Sequence, residues 1–170
     1  MFIAHLPSGY ILSVSLLKRI RRAPVRASGV ILSGMVGAIA PDFDLFYFYL
    51  VDHRQVHHHT YITHWPLLGM ASSALVGLWA RLSPTSQVAW SALVFCLGGI
   101  VHVLLDSIAG DIWWGAPFVD RAYALVTVKA TFEPWWLNFM LHWTFGVELV
   151  ICCWALTIHL RRKARFRGRP

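Results

Sequence analysis

The feature that most constrains this chain is the alternation of apolar runs with short basic clusters. A membrane-spanning helix needs about 20 consecutive apolar residues. Residues 135–160 supply one such run, closed by a basic segment at 161–170. Residues 88–105 carry no charge apart from His102 near their end, and 65–82 finish on Arg81, whose long stem can carry its head to the interface. Residues 2–17 and 28–40 are also largely apolar, although shorter than a hydrocarbon core of roughly 30 Å demands. With 57% hydrophobic residues, 14% charged and a mean hydropathy of +0.56, the chain has too little polar surface for a soluble fold. The expected fold is all-α: a polytopic membrane bundle of about five transmembrane or membrane-embedded helices. One membrane-embedded domain would cover residues 1–160, with a basic cytoplasmic tail over 161–170.

Twelve of the fifteen basic residues fall in three places: Lys18, Arg19, Arg21, Arg22 and Arg26; Arg81; and Arg161, Arg162, Lys163, Arg165, Arg167 and Arg169. Each cluster abuts an apolar run, so it is read as a membrane flank in contact with lipid headgroups, with no nucleic-acid partner expected. The N-terminal apolar stretch has its positive charges after it, which suits a retained helix and not a cleaved leader. Placing Lys18–Arg26 in the cytoplasm threads five helices with the N-terminus outside and the C-terminus inside, and every basic cluster lands on one face. Seven of the eight carboxylates (Asp42, Asp44, Asp52, Asp106, Asp111, Asp120 and Glu133) then lie on the other face, with most of the nine histidines. Lys and Arg alone set this topology, yet it gathers the potential metal ligands together. Trp113, Trp114, Trp135 and Trp136 fit an interfacial aromatic belt. His142 and Glu148 suit a polar contact between helices. Cys96, Cys152 and Cys153 form no CxxC pair and read as small core residues.

Four elements can carry chemistry. In His102-Val-Leu-Leu-Asp106 the imidazole and carboxylate share one helical face and can bind one cation. A His/Asp pair at the end of an apolar span is costly without a partner. In Pro41-Asp42-Phe43-Asp44 the proline suits a helix start, where both carboxylates can converge. In His57-His58-His59-Thr60-Tyr61-Ile62-Thr63-His64 three consecutive imidazoles cannot all converge; His59 and His64 are the candidates, with His58 as substitute. His5 closes the set at the outer end of the first helix. The candidate ligands are therefore His5, Asp42, Asp44, His59, His64, His102 and Asp106, with Asp44 and Asp106 as candidate catalytic carboxylates. They suffice for one or two divalent ions, zinc foremost, with positions left open for water. HExxH, GxSxG and P-loop motifs are absent from the sequence.

In this order the elements resemble the YdjM-like family of bacterial inner-membrane proteins, described as LexA-regulated metal-dependent hydrolases. Its pattern is an early His, a Pro-Asp-x-Asp, a His-Arg-Gly-x-Thr-His-Ser block and a His-x-x-x-Asp in an apolar helix. His5, Pro41-Asp42-Phe43-Asp44 and His102-Val-Leu-Leu-Asp106 match. In the third block His59 and Thr63-His64 align, while Thr60, Tyr61 and Trp65 stand where the family has Arg, Gly and Ser. The resemblance covers roughly residues 3–118. It implies a metal-dependent hydrolase of the inner membrane. The threading makes it multi-pass and puts the site on the non-cytoplasmic side near headgroup depth, where a lipid or lipid-linked phosphoester is the expected substrate. The alternatives are a metal or proton transporter, for which the break at Pro41 would be the signature, and a non-catalytic scaffold with a structural metal.

Overall fold

The computed structural model describes residues 1, 3–20 and 25–167. Of the expected first helix Phe2 lies outside them, as do Arg21, Arg22 and Arg169 of the basic clusters. Helices are the regular elements of the described residues, which contain no strands beyond an isolated antiparallel bridge between Ile112 and Tyr123. The helices are α1 (His5–Leu17), α2 (Ala27–Gly37), α3 (Asp44–Leu50), α4 (Pro66–Leu82), α5 (Gln87–Ala109), α6 (Trp136–Met140) and α7 (Trp143–Arg167). Short 3-10 turns at Pro41–Phe43, His58–Thr60 and Ile62–His64 sit between α2 and α4.

The number of spans is smaller than the sequence suggests. Two helices are long and apolar enough to cross a membrane, Gln87–Ala109 and Trp143–Arg165; the bent pair Ala27–Gly37 and Pro41–Leu50 makes a third if it counts as one span. At 1.5 Å per residue, α1 is about 20 Å long and α4 about 26 Å, both short of the roughly 30 Å core. Hydropathy marks these segments as apolar but does not fix where their helices end. The 135–160 run is itself divided, because α6 stops at Met140 and α7 begins at Trp143. α7 continues unbroken into the basic segment, as far as Arg167.

The bundle is organised around α5. Ser86 opens it as an N-cap, its hydroxyl accepting from the Ala89 amide at 3.2 Å. α2 and α4 pack along α5, while α1 lies against α2, α5 and α7. Small residues let the backbones approach closely. A Cβ on Gly98 of α5 would stand 2.7 Å from the Gly34 carbonyl oxygen and 2.8 Å from the Ala38 nitrogen. Gly9, Gly34 and Gly37 continue this seam. At one end, Ile20, Val30 and Val94 form an apolar cluster flanked by Trp90. Basic Lys18, Arg19, Arg162 and Lys163 line grooves at that end. The C-terminus of α5, with His102 and Asp106, points the opposite way.

That far end of α5 is completed by the loop that follows. The amides of Leu125 and Val126 donate to the carbonyls of Ser107 and Ile108 at 2.8 and 2.9 Å, satisfying groups a helix end leaves open. Trp114 Nε1 donates to Ser107 Oγ at 2.9 Å, so this indole docks the loop. α1 is held from α7: Glu148 accepts from the amides of Ile3 and Ala4 at 2.6 and 3.1 Å, a carboxylate facing a helix N-terminus. Glu148 thereby fixes the height of His5.

Candidate metal centre

Five segments meet where α2 ends and α5 finishes. The α5 register puts His102 and Asp106 on its inner face, with His102 Nε2 2.9 Å from Asp106 Oδ2. The break after α2 brings Asp42 across, its Oδ1 3.6 Å from His102 Nε2 and 3.8 Å from His64 Nε2. The two Nε2 atoms of His64 and His102 stand 3.2 Å apart. Asp42, His64, His102 and Asp106 offer ligand atoms all within 4.8 Å of one another, a group able to hold a metal ion. His58, His59 and His64 form a second such group, sharing His64. His64 and His102 are fully buried.

The outer ring nitrogens show which way each imidazole is turned. His102 Nδ1 lies 2.8 Å from the Ala38 carbonyl oxygen, and His59 Nδ1 lies 3.0 Å from the Asp111 carbonyl oxygen. Carbonyls only accept, so both Nδ1 atoms carry the hydrogen and both Nε2 atoms are left with lone pairs. His64 Nδ1 donates in the same way to Asp44 Oδ2 at 2.8 Å. All three rings therefore aim an Nε2 inward, at carboxylates and at each other. Outer acceptors that fix tautomer and orientation in this way are the usual company of metal-binding histidine. Lone pairs 3.2 Å apart repel unless a cation or proton lies between them. The donor set of imidazole and carboxylate fits a divalent ion such as zinc.

Charge reinforces this arrangement. Burial alone would lower the His64 pKa, but the Asp42 and Asp44 carboxylates override it and hold it up at about 9. Without an ion, His64 thus keeps a proton in the gap. His59 is pushed down to about 3, because burial outweighs the pull of Asp106. It stays neutral and ready to ligate.

The remaining candidates take other places. Asp44 lies behind His64 and belongs to neither ligand group; Thr63 Oγ1 also donates to it, and His58 Nδ1 is 3.6 Å from its Oδ1. His5 stacks on His102 with ring centroids 3.9 Å apart, and its Nε2 is 3.1 Å from Asp106 Oδ1. It meets the centre through Asp106. The Met1 amino group contacts the same Asp106 oxygen. Gly110 lets His59 approach, since a Cβ there would sit 3.0 Å from its Cε1. Thr63 and the carbonyls of Ala38 and Asp111 were not singled out from the sequence. The backbone acceptors carry no side-chain signal at all, whereas Thr63 had one in its alignment with the threonine of the family's third block, beside His64.

The centre opens onto a cavity of about 600 Å³. Asp42, His58, His59 and Asp106 line one part of it, and Leu45, Phe48, Val126, Val128 and Phe139 supply much of the rest.

An α-helical bundle with long apolar helices and a buried His/Asp cluster beside a cavity defines a membrane protein able to hold a metal ion. The profile of the YdjM inner membrane protein family matches residues 1–166. The chain belongs to this family, which agrees with the resemblance read from its motifs and with a membrane location. No curated protein and no solved structure matches it.

Proposed function

We propose that this chain is a metal-dependent hydrolase of the inner membrane, crossing it more than once and acting on a lipid or lipid-linked phosphoester at the non-cytoplasmic face. The observation that carries the proposal is the convergence of three imidazoles, each pinned through Nδ1, on two carboxylates at the wall of a largely apolar cavity. His64, His102, Asp42 and Asp106 would hold the ion, and His58 and His59 would complete a second position beside His64. A bound divalent cation supplies Lewis acidity and lowers the pKa of water towards neutrality. Asp42 is the most open carboxylate of the cluster, with 31% of its side chain exposed, and it lines the cavity; it is placed to accept a proton from an attacking water. Asp106 is anchored by His5 and His102 and serves as ligand. Asp44 positions His64. The side assignment rests on the basic clusters, which lie at the opposite end of α5 from the site.

Turnover tests the reading. Protein purified in detergent should cleave at least one member of a panel of phospholipids and lipid-linked phosphoesters. A chelator should abolish the activity and a divalent ion should restore it. Stoichiometric metal whose removal leaves turnover unchanged would count against it. One observation favours transport instead: the 55° bend between α2 and the Pro41–Leu50 segment, with Asp42 at the break. Metal uptake into sealed proteoliposomes discriminates, since a hydrolase shows none.

A further inference from the structure

The sequence around His53 and Arg54 contains an oddity that the metal centre does not use. Both residues adopt positive φ, 51° and 66°, though neither is glycine. Such a conformation is uncommon for non-glycine residues and persists where its surroundings demand it. Here the Arg54 amide donates to the Phe48 carbonyl at 3.0 Å, turning the chain back over the end of α3. The guanidinium is thereby laid over the Tyr49 ring, 5.7 Å from its centroid, and lines the same cavity as Asp42, His58, His59 and Asp106.

No carboxylate among the described residues pairs with Arg54. Its neighbour Asp52 instead accepts from the Gln55 and Val56 amides at 3.0 and 3.1 Å. Asp42, Asp44 and Asp106 are taken by imidazoles. Asp111 also lines the cavity, where its charge faces His57. An unpaired, oriented guanidinium in a chamber with apolar walls is suited to one kind of guest: a molecule with an anionic head and an apolar body. Arginine grips phosphate and carboxylate oxygens through two parallel hydrogen bonds.

We infer that Arg54 is the specificity-determining residue of this cavity, binding the anionic head of an amphiphilic phosphate opposite the metal centre while Leu45, Phe48 and Val126 receive its hydrocarbon portion. The inference rests on the hydrolase reading and narrows its substrate class. It also supplies, from a different point in the chain, a guanidinium where the His59–His64 block has none.

The test uses the full chain in phosphatidylcholine nanodiscs loaded with zinc, and titrates hexyl phosphate, inorganic phosphate and hexanol by calorimetry. Wild type should bind hexyl phosphate more tightly than either other probe. Arg54→Gln should weaken hexyl phosphate by about tenfold or more, the scale of a lost charge-assisted contact, and leave hexanol and zinc content unchanged. Arg54→Lys should fall between. Equal binding of hexyl phosphate by wild type and Arg54→Gln, both carrying zinc, overturns the inference and leaves the metal centre standing. Inorganic phosphate binding as tightly as hexyl phosphate overturns the amphiphile. If Arg54 meets only bilayer headgroups, its loss would alter association with anionic vesicles but not the titration, and that too overturns it. A wild-type chain that takes up no zinc removes the hydrolase reading and this inference together.

Discussion

Gly98→Ala puts the link between helix packing and metal binding to the test. The new methyl would sit 2.7 Å from the Gly34 carbonyl oxygen, 2.8 Å from the Ala38 nitrogen and 3.0 Å from the Gly37 carbonyl carbon. All three are backbone atoms, so no side chain can swing aside. Reaching a separation of about 3.5 Å requires α2 to recede from α5 by roughly 0.8 Å. α2 is also wedged against α1 at Gly9, so the strain cannot relax freely. Overpacking of this sort costs about 1–3 kcal/mol. The same movement carries away the Ala38 carbonyl, now 2.8 Å from His102 Nδ1, to the limit of a useful hydrogen bond. Loss of an outer partner of a ligating histidine lowers metal affinity by about 10–100-fold. The assay is competition for zinc against a chromophoric chelator, with thermal unfolding alongside. Gly146→Ala is the control, because a Cβ there meets nothing within 4 Å. If Gly98→Ala matches Gly146→Ala in both Tm and zinc affinity, the proposed coupling of the α2–α5 seam to the site is wrong.

Asp44→Asn should keep the fold but weaken zinc by about 10–100-fold, because a neutral amide holds the His64 ring less firmly than a carboxylate; equilibrium dialysis reads this. In the metal-free protein the raised His64 pKa contributes stability that is complete below pH 6.5 and is lost as pH rises through about 9. The Tm of metal-free protein should therefore fall across that window, while zinc affinity rises as the ion displaces the proton; a flat Tm together with a flat affinity contradicts the assignment. Glu148→Ala should lower Tm on the scale of two charge-assisted hydrogen bonds, each about 1.5–3 kcal/mol, whereas Glu148→Gln, which still accepts, should lose less.

What was legible in the sequence was what periodicity and charge can encode. His102 and Asp106 are four apart in an apolar run, so a helix had to place them together. The bunching of Lys and Arg is enough to separate a basic end from a His/Asp end. The number of spans was not legible, because hydropathy reports composition and not where a helix stops. The break at Met140–Trp143 lies inside a run that stays apolar, whereas the one at Gly37–Pro41 falls at the end of the 28–40 run. Nor could the sequence separate Asp42 from Asp44: two residues apart at a turn, one faces the ligand cluster and the other backs His64. The His53-Arg54 pair can be seen in the sequence, too early for the spacing of the family's His-Arg, but its place in the cavity cannot, because that depends on two residues in the left-handed region. The carbonyls that orient His59 and His102 belong to Asp111 and Ala38, and their role is set by backbone position alone.

Elemental analysis of wild type beside His102→Ala, joined to X-ray absorption at the metal edge, bears most directly on the centre itself. Wild type should carry about one or two divalent ions per chain in a shell of imidazole nitrogen and carboxylate oxygen, and His102→Ala should lose most of that metal while staying helical. Wild-type protein that is empty and cannot be reloaded, or a His102→Ala protein with undiminished metal, would contradict it.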